Sequence, residues 1–344
     1  MDPFELRRIS DTDIAVTCFG FGGASMGNMY TEARDDKALE AIRSAYEAKV
    51  RYFDTAPIYG FGKSEKLYGS VLKDRPRDSF VLSSKVGRLI VTGKPTSQPE
   101  DKGFETDEDT CFVEIDDTYS KFDYSRDGVL RSLEESRRRL GIDKIDIVYI
   151  HDPDVNDSFK QALEEAFPTL AELKSQGVIG AIGAGMNQAE MLFDFAKNAD
   201  FDCFLLAGRY TLLDQIALKE LLPLCQQKNI SIIIGGAYNS GILATGAVEG
   251  AHYNYEPAPP EIMEKTRKIE AVCARFNIPL KAAALQFPFG HPTVVSNIPG
   301  VKTKDRFEEN LALFTHPIPA DFWTALKEEK LLVPEAPVPD SSQG

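Results

Sequence analysis

The chain has 344 residues, 43% of them apolar and 27% charged, an ordinary globular balance with enough apolar residues for a full core. Thirty-nine Lys and Arg against fifty-three Asp and Glu leave a net charge of −14, so the surface as a whole attracts neither nucleic acid nor an anionic membrane. Cys18, Cys111, Cys203, Cys225 and Cys273 form no Cys-x-x-Cys pair and Met1–Ile14 is too charged for a secretory signal, which predicts free thiols in a cytoplasmic protein.

Strand-like runs recur at Cys18–Gly22, Arg51–Thr55, Phe80–Ser84, Ile145–Ile150, Val178–Gly183, Cys203–Leu206, Ile230–Gly235 and Thr293–Ile298. Helical patterns lie between them at Lys37–Ala48, Lys63–Lys73, Leu130–Leu140, Phe159–Ser175, Gln188–Lys197, Asp214–Lys228 and Glu261–Phe276. The alternation predicts parallel strands with helical crossovers, and eight such units predict an α/β fold, a single (β/α)8 TIM barrel over residues 1–332 with an N-terminal hairpin cap. Leu163, Ala166, Phe167, Leu170 and Leu173 repeat at helical spacing, and Pro168 is expected to kink or restart that helix. Asn229–Val248 carries no charge over a membrane-sized length, but its glycines and Tyr238, Asn239 and Ser240 read as a buried strand followed by a turn-rich loop.

Two segments fall outside the alternation. Thr92–Asp127, after the third strand, holds Asp101, Glu105, Asp107, Glu108, Asp109, Glu114, Asp116 and Asp117 and reads as either a lid over the mouth or a solvated excursion. Phe322–Leu332 looks like an amphipathic helix that includes Trp323 as a packing residue, and 333–344 reads as a disordered tail.

Three strand-like runs end in groups that can move a proton: Asp54 and Tyr59, Lys85, and His151. Carboxyl ends of barrel strands converge on one mouth, so these four residues are expected to meet. Tyrosine is a weak base at a pKa near ~10, but an ammonium ~4 Å away interacts by about 4 kcal/mol at an effective dielectric of ~20 and favours the phenolate. Lys85 is the expected ammonium, Asp54 its counter-ion and His151 the group that orients a substrate oxygen. Singly, each has a plain structural reading as a packed ring, a strand end, a turn cap or a core histidine. Gly20–Ser25 breaks the dinucleotide fingerprint of a Rossmann fold, and His151, His252, His291 and His316 show no metal-ligand spacing, so no metal is expected.

Phe53-Asp54-Thr55-Ala56 with Tyr59-Gly60, then Ser84-Lys85-Val86-Gly87, then His151, resemble the catalytic tetrad of the aldo-keto reductase family. Phe4–Ile9, Lys85–Leu89, Ala207–Gln215, Gly235–Gly246 and Ala282–Pro292 are similar to its sugar-oxidising branch, which contains L-fucose, D-threo-aldose and D-arabinose 1-dehydrogenases and pyridoxal 4-dehydrogenases. The resemblance implies NAD or NADP lying over the barrel mouth, with Tyr59 as acid in reduction and base in oxidation. It implies cofactor contacts at Gly23, Ala24, Asp54, Asn187, Tyr238, Asn239, Gly241, Leu243, Gly300, Lys302, Thr303, Arg306, Glu309 and Asn310, with the Tyr238 ring stacked on the nicotinamide.

The chain departs from the family at two places. Gly300 and Val301 replace the Lys-Ser pair that usually meets the 2′-phosphate, which opens NAD or dual use beside NADP, while Lys302, Lys304 and Arg306 remain nearby. Gly185 and Met186 replace the usual Ser-Asn contacts to the carboxamide, and Asn187 is the expected substitute or else a helix cap. Substrate contacts are expected from Tyr30, Tyr59, Arg88, His151, Asp152 and Arg209 around the mouth. The expected activity is oxidation of an aldose at C1 to its lactone. The alternatives are reduction of a pyridoxal-like, aromatic or specialised-metabolite carbonyl, and an idle cofactor-binding subunit. The expected partner is a small-molecule carbonyl or sugar, in a monomer or weak homo-oligomer.

Overall fold

Short apolar runs that pass abruptly into polar residues become the staves of a barrel. The structure, a computed structural model, describes residues 1–93, 104–105, 110–113 and 118–339. Eight strands run parallel in chain order: β1 (Phe21–Gly22), β2 (Tyr52–Asp54), β3 (Val81–Val86), β4 (Ile147–His151), β5 (Ala181–Met186), β6 (Cys203–Ala207), β7 (Ser231–Gly235) and β8 (Val294–Asn297). Gly20 N–H donates to Asn297 O at 2.9 Å and Asn297 N–H donates to Cys18 O at 2.8 Å, which joins the first stave to the last. The fold is the α/β TIM-barrel type expected from the strand count.

Because these strands are covered on both faces, their period of two shows in where each side chain packs rather than in polarity. Tyr52, Val81, Ile147, Tyr149, Ala181, Cys203, Leu205, Ile233 and Val295 fill the barrel interior. Phe53, Leu82, Val148, Ile150, Ile182, Phe204, Leu206, Ile232 and Val294 pack outward against the helices. At the amino end of the barrel, Leu6–Arg8 pairs antiparallel with Ala15–Thr17, and Ile9 and Val16 enter the interior cluster as a plug. This is the expected hairpin cap.

The helices follow the expected runs with informative differences. Phe159–Gln161 passes through a π turn at Ala162–Ala166 into Phe167–Ser175, with Pro168 in the first turn of the restarted helix, which is the break its missing N–H imposes. The run expected as Asp214–Lys228 divides into a 3₁₀ turn, Ile216–Leu218, and a helix, Leu221–Gln227. Pro223 lies in the first turn of that helix, where the absent N–H costs nothing. Leu280–Gln286 and Lys304–Phe314 are further helices that the sequence pattern did not single out.

The acidic connection is partly ordered strand. Arg88–Thr92 pairs antiparallel with Thr118–Phe122, which also pairs with Phe104–Glu105. Tyr30 N–H donates to Cys111 O at 2.8 Å and Val113 N–H to Asn28 O at 3.1 Å, fastening the connection to the loop after β1. Asp101, Asp107, Glu108, Asp109, Glu114, Asp116 and Asp117 lie outside the described residues. The disordered tail expected from 333 is corrected for 333–339: Ala336 is fully buried and Val333 and Val338 pack on the core, while 340–344 lie outside the described residues. Asn229–Val248 is β7 followed by a loop and a short helix, Ile242–Thr245, and no helix among the described residues is long and apolar enough to cross a membrane.

Candidate active site

Lys85 and Asp54 project inward from β3 and β2 and meet in a buried ion pair, Nζ to Oδ2 at 2.8 Å, with side chains 1% and 2% exposed. Lys85 also donates to Thr55 O at 2.9 Å, and Asp54 Oδ1 accepts from Ser83 Oγ at 2.6 Å. Tyr59, in the loop after β2, sets its ring 4.5 Å from Lys85 Nζ. His151 closes β4, with its ring 5.9 Å from that of Tyr59 and nearly perpendicular to it at 86°. The four residues expected to meet are therefore brought together.

Their electrostatics differ in one respect from the expectation. Lys85 faces the ring of Tyr59, and burial of the hydroxyl is the main influence on it, reinforced by Asp54 and Asp152 and opposed by Arg88. The result is a phenol pushed well above its ordinary pKa rather than drawn towards the phenolate. Burial, with Lys85 and Arg88 nearby, holds His151 well below its ordinary value, as a neutral imidazole at physiological pH. The arrangement is a proton donor and a neutral N–H donor side by side, suited to an oxygen that gains or loses a proton.

Rim groups approach from several loops. Arg88 Nη1 pairs with Asp152 Oδ2 at 2.7 Å and its guanidinium lies 5.2 Å from the Phe122 ring. Arg209 donates to Asn254 Oδ1 at 2.7 Å and stands 4.0 Å from Asp214. Tyr30, 41% exposed, lies 6.5 Å from the ring of Tyr255. Phe112 of the acidic connection is 6.0 Å from the ring of Tyr59.

The aldo/keto reductase family model matches residues 19–330 of this chain. The chain belongs to that family. It is 37% identical to a pyridoxal 4-dehydrogenase from Microbacterium luteolum over 95% of this chain and 98% of the relative, and 38% identical to a D-threo-aldose 1-dehydrogenase from a Pseudomonas species over 93% and 95%. A solved aldo-keto reductase from Bacillus halodurans in its holo form aligns with a TM-score of 0.73 at 22% identity, covering 99% of this chain and 100% of that one. The protein is thus an NAD(P)-dependent oxidoreductase.

The residues expected to meet a nicotinamide dinucleotide include groups that fit one. Asn239 Oδ1 is buried with no hydrogen-bond partner among the described residues. Gly241, at φ 101°, has open space where a side chain would stand, and Gly236 is exposed at φ 59°. Asn187 Nδ2 donates to Tyr255 Oη at 2.9 Å, and together with Arg209, Gly236, Asn239 and Ser240 these residues line a cavity of about 30 Å³. Tyr238 Oη donates to Asn310 Oδ1 at 2.8 Å, linking the loop after β7 to the helix Lys304–Phe314. Gly23 N–H donates to Asp54 O at 2.8 Å, and a side chain at Gly300 would run into Ser25 Oγ.

Three of the expected cofactor contacts also have structural roles within the chain. Leu243 is a core side chain whose N–H already donates to Tyr238 O at 3.1 Å. Thr303 caps the helix Lys304–Phe314 through its side-chain oxygen. Lys302 donates to Met29 O, Thr31 O and Thr31 Oγ1 at 2.7–2.9 Å, so its ammonium ties down the loop after β1. Arg306 and Lys281 both bind Glu309, which lies below the usual carboxylate range for that reason. Trp323 is buried against Phe322 and Phe287, the packing role expected of it.

Sequence reasoning missed Ser83, Phe112 and Tyr255. Ser83 was accessible, since it stands two residues before Lys85 and must share its inward face. Phe112 and Tyr255 reach the site from excursions whose course no local pattern fixes.

Proposed function

We propose that the protein oxidises an aldose at C1, taking the cyclic hemiacetal to its lactone. The observation that carries the reading is the convergence of Tyr59, Lys85, Asp54 and His151 beneath a rim of charged and hydroxyl-bearing side chains. The D-threo-aldose 1-dehydrogenase among the relatives supports it. When bound, the nicotinamide dinucleotide accepts the hydride leaving the substrate carbon, or supplies one to a carbonyl. Tyr59 exchanges the proton of the substrate oxygen, as base in oxidation and acid in reduction. His151 holds that oxygen through an N–H donor, and the Asp54–Lys85 pair fixes the floor on which the Tyr59 ring rests. Arg88, Arg209 and Tyr30 offer hydrogen-bonding groups to the remaining hydroxyls, while the Asp152 carboxylate is engaged by Arg88 and His151.

Asn187, Tyr238, Asn239, Gly241, Arg306 and Asn310 are the residues that would hold the cofactor. NAD⁺ is the expected form, because Lys302 is committed to the loop after β1, Val301 is buried and Arg306 is paired with Glu309. A 2′-phosphate would have to displace that pairing.

The aromatic wall of Phe112, Tyr30 and Tyr255, with the pyridoxal 4-dehydrogenase relative, favours a pyridoxal-like aldehyde as the second reading. The test is the initial rate of reduced-nicotinamide formation with NAD⁺ and NADP⁺ in parallel, against free L-fucose, L-galactose, D-arabinose and pyridoxal. Oxidation of an aldose supports the first reading, and turnover of pyridoxal alone replaces it with the second. Tyr59→Phe is expected to lose at least about a hundredfold in turnover while still binding cofactor, and a variant that keeps its rate would overturn the mechanism.

A further inference from the structure

Neighbouring side chains on a strand point to opposite faces, so the residue after His151 ought to face the helices. Asp152 instead leaves β4 at φ 48°, a left-handed backbone that residues other than glycine rarely hold. The turn carries its carboxylate back over the barrel mouth, where Oδ2 lies 3.3 Å from His151 Nε2 and 2.7 Å from Arg88 Nη1. Asp152 N–H still donates to Gly185 O at 3.0 Å, so the pairing to β5 survives the turn. The other imidazole nitrogen, His151 Nδ1, is buried with no hydrogen-bond partner among the described residues.

A neutral imidazole has one N–H and one bare nitrogen, and the acceptors around the ring decide which is which. We infer that Asp152 is a positioning residue, whose carboxylate keeps the proton of His151 on Nε2 and so presents an N–H, not a lone pair, to the substrate oxygen. At 3.3 Å the contact is long, so it orients the N–H and leaves it able to turn to an oxygen arriving beside Tyr59. Arg88 completes the arrangement by fixing the carboxylate from its other side. The opposite tautomer would set a lone pair against the lone pairs of the substrate. This inference rests on the proposed role of His151 in the reaction, but the ring tautomer itself does not.

The tautomer is read from the ring nitrogen shifts of protein carrying labelled histidine, with His151→Gln identifying the signal. The wild type is expected to show the Nε2–H form, and Asp152→Ala a mixture of both or the Nδ1–H form. In steady-state kinetics Asp152→Ala is expected to lower kcat by about tenfold to a hundredfold with KM nearly unchanged, a part of what oriented proton donation supplies. Asp152→Asn tolerates the same left-handed backbone and keeps an acceptor oxygen, so it is expected to retain the Nε2–H form and recover most of kcat. An Nδ1–H form in the wild type, a tautomer unmoved in Asp152→Ala, or a loss confined to KM would overturn the inference. Correct tautomers in all variants with no turnover of any carbonyl or sugar would instead count against the proposed function alone.

Discussion

At the scale of single residues, the proton order beneath the site follows from what each group can donate. Asp54 Oδ1 only accepts, so the one hydroxyl proton of Ser83 goes to it at 2.6 Å. Tyr52 must then donate to Ser83 Oγ at 3.1 Å, and Tyr149 to Tyr52 at 2.9 Å. The chain ends with the Cys203 thiol 3.8 Å from Tyr149 Oη. Every member points its proton toward the carboxylate that binds Lys85, so the pair is held by directed hydrogen bonds in a low-dielectric interior. Lys85→Met is expected to cost about 3–5 kcal/mol in urea unfolding, because it leaves a buried carboxylate unpaired, whereas the Lys85→Met, Asp54→Asn double variant is expected to cost clearly less than the sum. Additive losses would show that the two are not coupled. The pH dependence of turnover follows from Tyr59 in the same way. A phenol held well above its ordinary value stays protonated through neutrality, so the reduction rate is expected to be flat there and to fall only in alkali. Oxidation needs the deprotonated form and is expected to rise with pH over that range, and a reduction rate that falls already below pH ~8 would contradict the assignment.

At the scale of elements, the site depends on how strands end. Gly87, at φ 100°, ends β3, and a side chain there would run into the Tyr124 ring. Tyr124 in turn donates to His151 O, so one turn fixes the exit of β3, the end of β4 and the direction of Arg88. Gly87→Ala is expected to destabilise the protein by on the order of 3 kcal/mol, from backbone strain and overpacking together, and to lower activity through Arg88. An unchanged urea midpoint would show that Tyr124 can move aside. The strands themselves, and the polar residues at their ends, were legible in the sequence because buried staves must be apolar and their mouths need not be. The tetrad was legible for that reason. The loops were not: the sequence offers Thr303 only as a cofactor contact, and its cap on the helix that starts at Lys304 shows only once that helix is in place. Lys302 likewise looks free in sequence until the loop after β1 folds onto it. Val333–Pro339 reads as disordered by composition, yet Ala336 is buried, because the groove that receives it is built by distant segments such as Gly290, against which Pro337 packs.

At the scale of the whole molecule, the polar groups sealed into the barrel set its response to pH. Burial pushes Tyr52, Tyr59, Tyr68 and Tyr149 well above their ordinary values. Above pH ~10 these side chains ionise in the unfolded chain but stay protonated in the folded one. The folded state then binds more protons, so stability falls as pH climbs from the unfolded value toward the folded ones, by up to ~1.4 kcal/mol per pH unit for each tyrosine. Below pH ~10 the same groups contribute no slope. On the acid side the sign is reversed for histidine: burial holds His151 well below its ordinary value and His291 at about 4, so stability is intact above the unfolded value near ~6.5 and is lost as pH falls through and below it. The excess of fifty-three acids over thirty-nine bases adds self-repulsion in alkali, where lysines also lose charge. Burial also pushes the Cys18, Cys225 and Cys273 thiols up to about 12, so the urea midpoint is expected to decline gently from about pH 9, where thiols of the unfolded chain ionise, and steeply above about pH 10, with tyrosinate absorbance rising together with the loss of far-ultraviolet dichroism. Tyr52→Phe removes one of the sealed hydroxyls and is expected to make the alkaline fall shallower, although it weakens the protein at neutrality by breaking the chain to Asp54. Tyrosinate forming well before the dichroism changes, beyond the share of the exposed rings such as Tyr30 and Tyr255, would mean that water reaches the sealed rings in the folded barrel, and the closed interior that isolates the Asp54–Lys85 pair would then have to be given up.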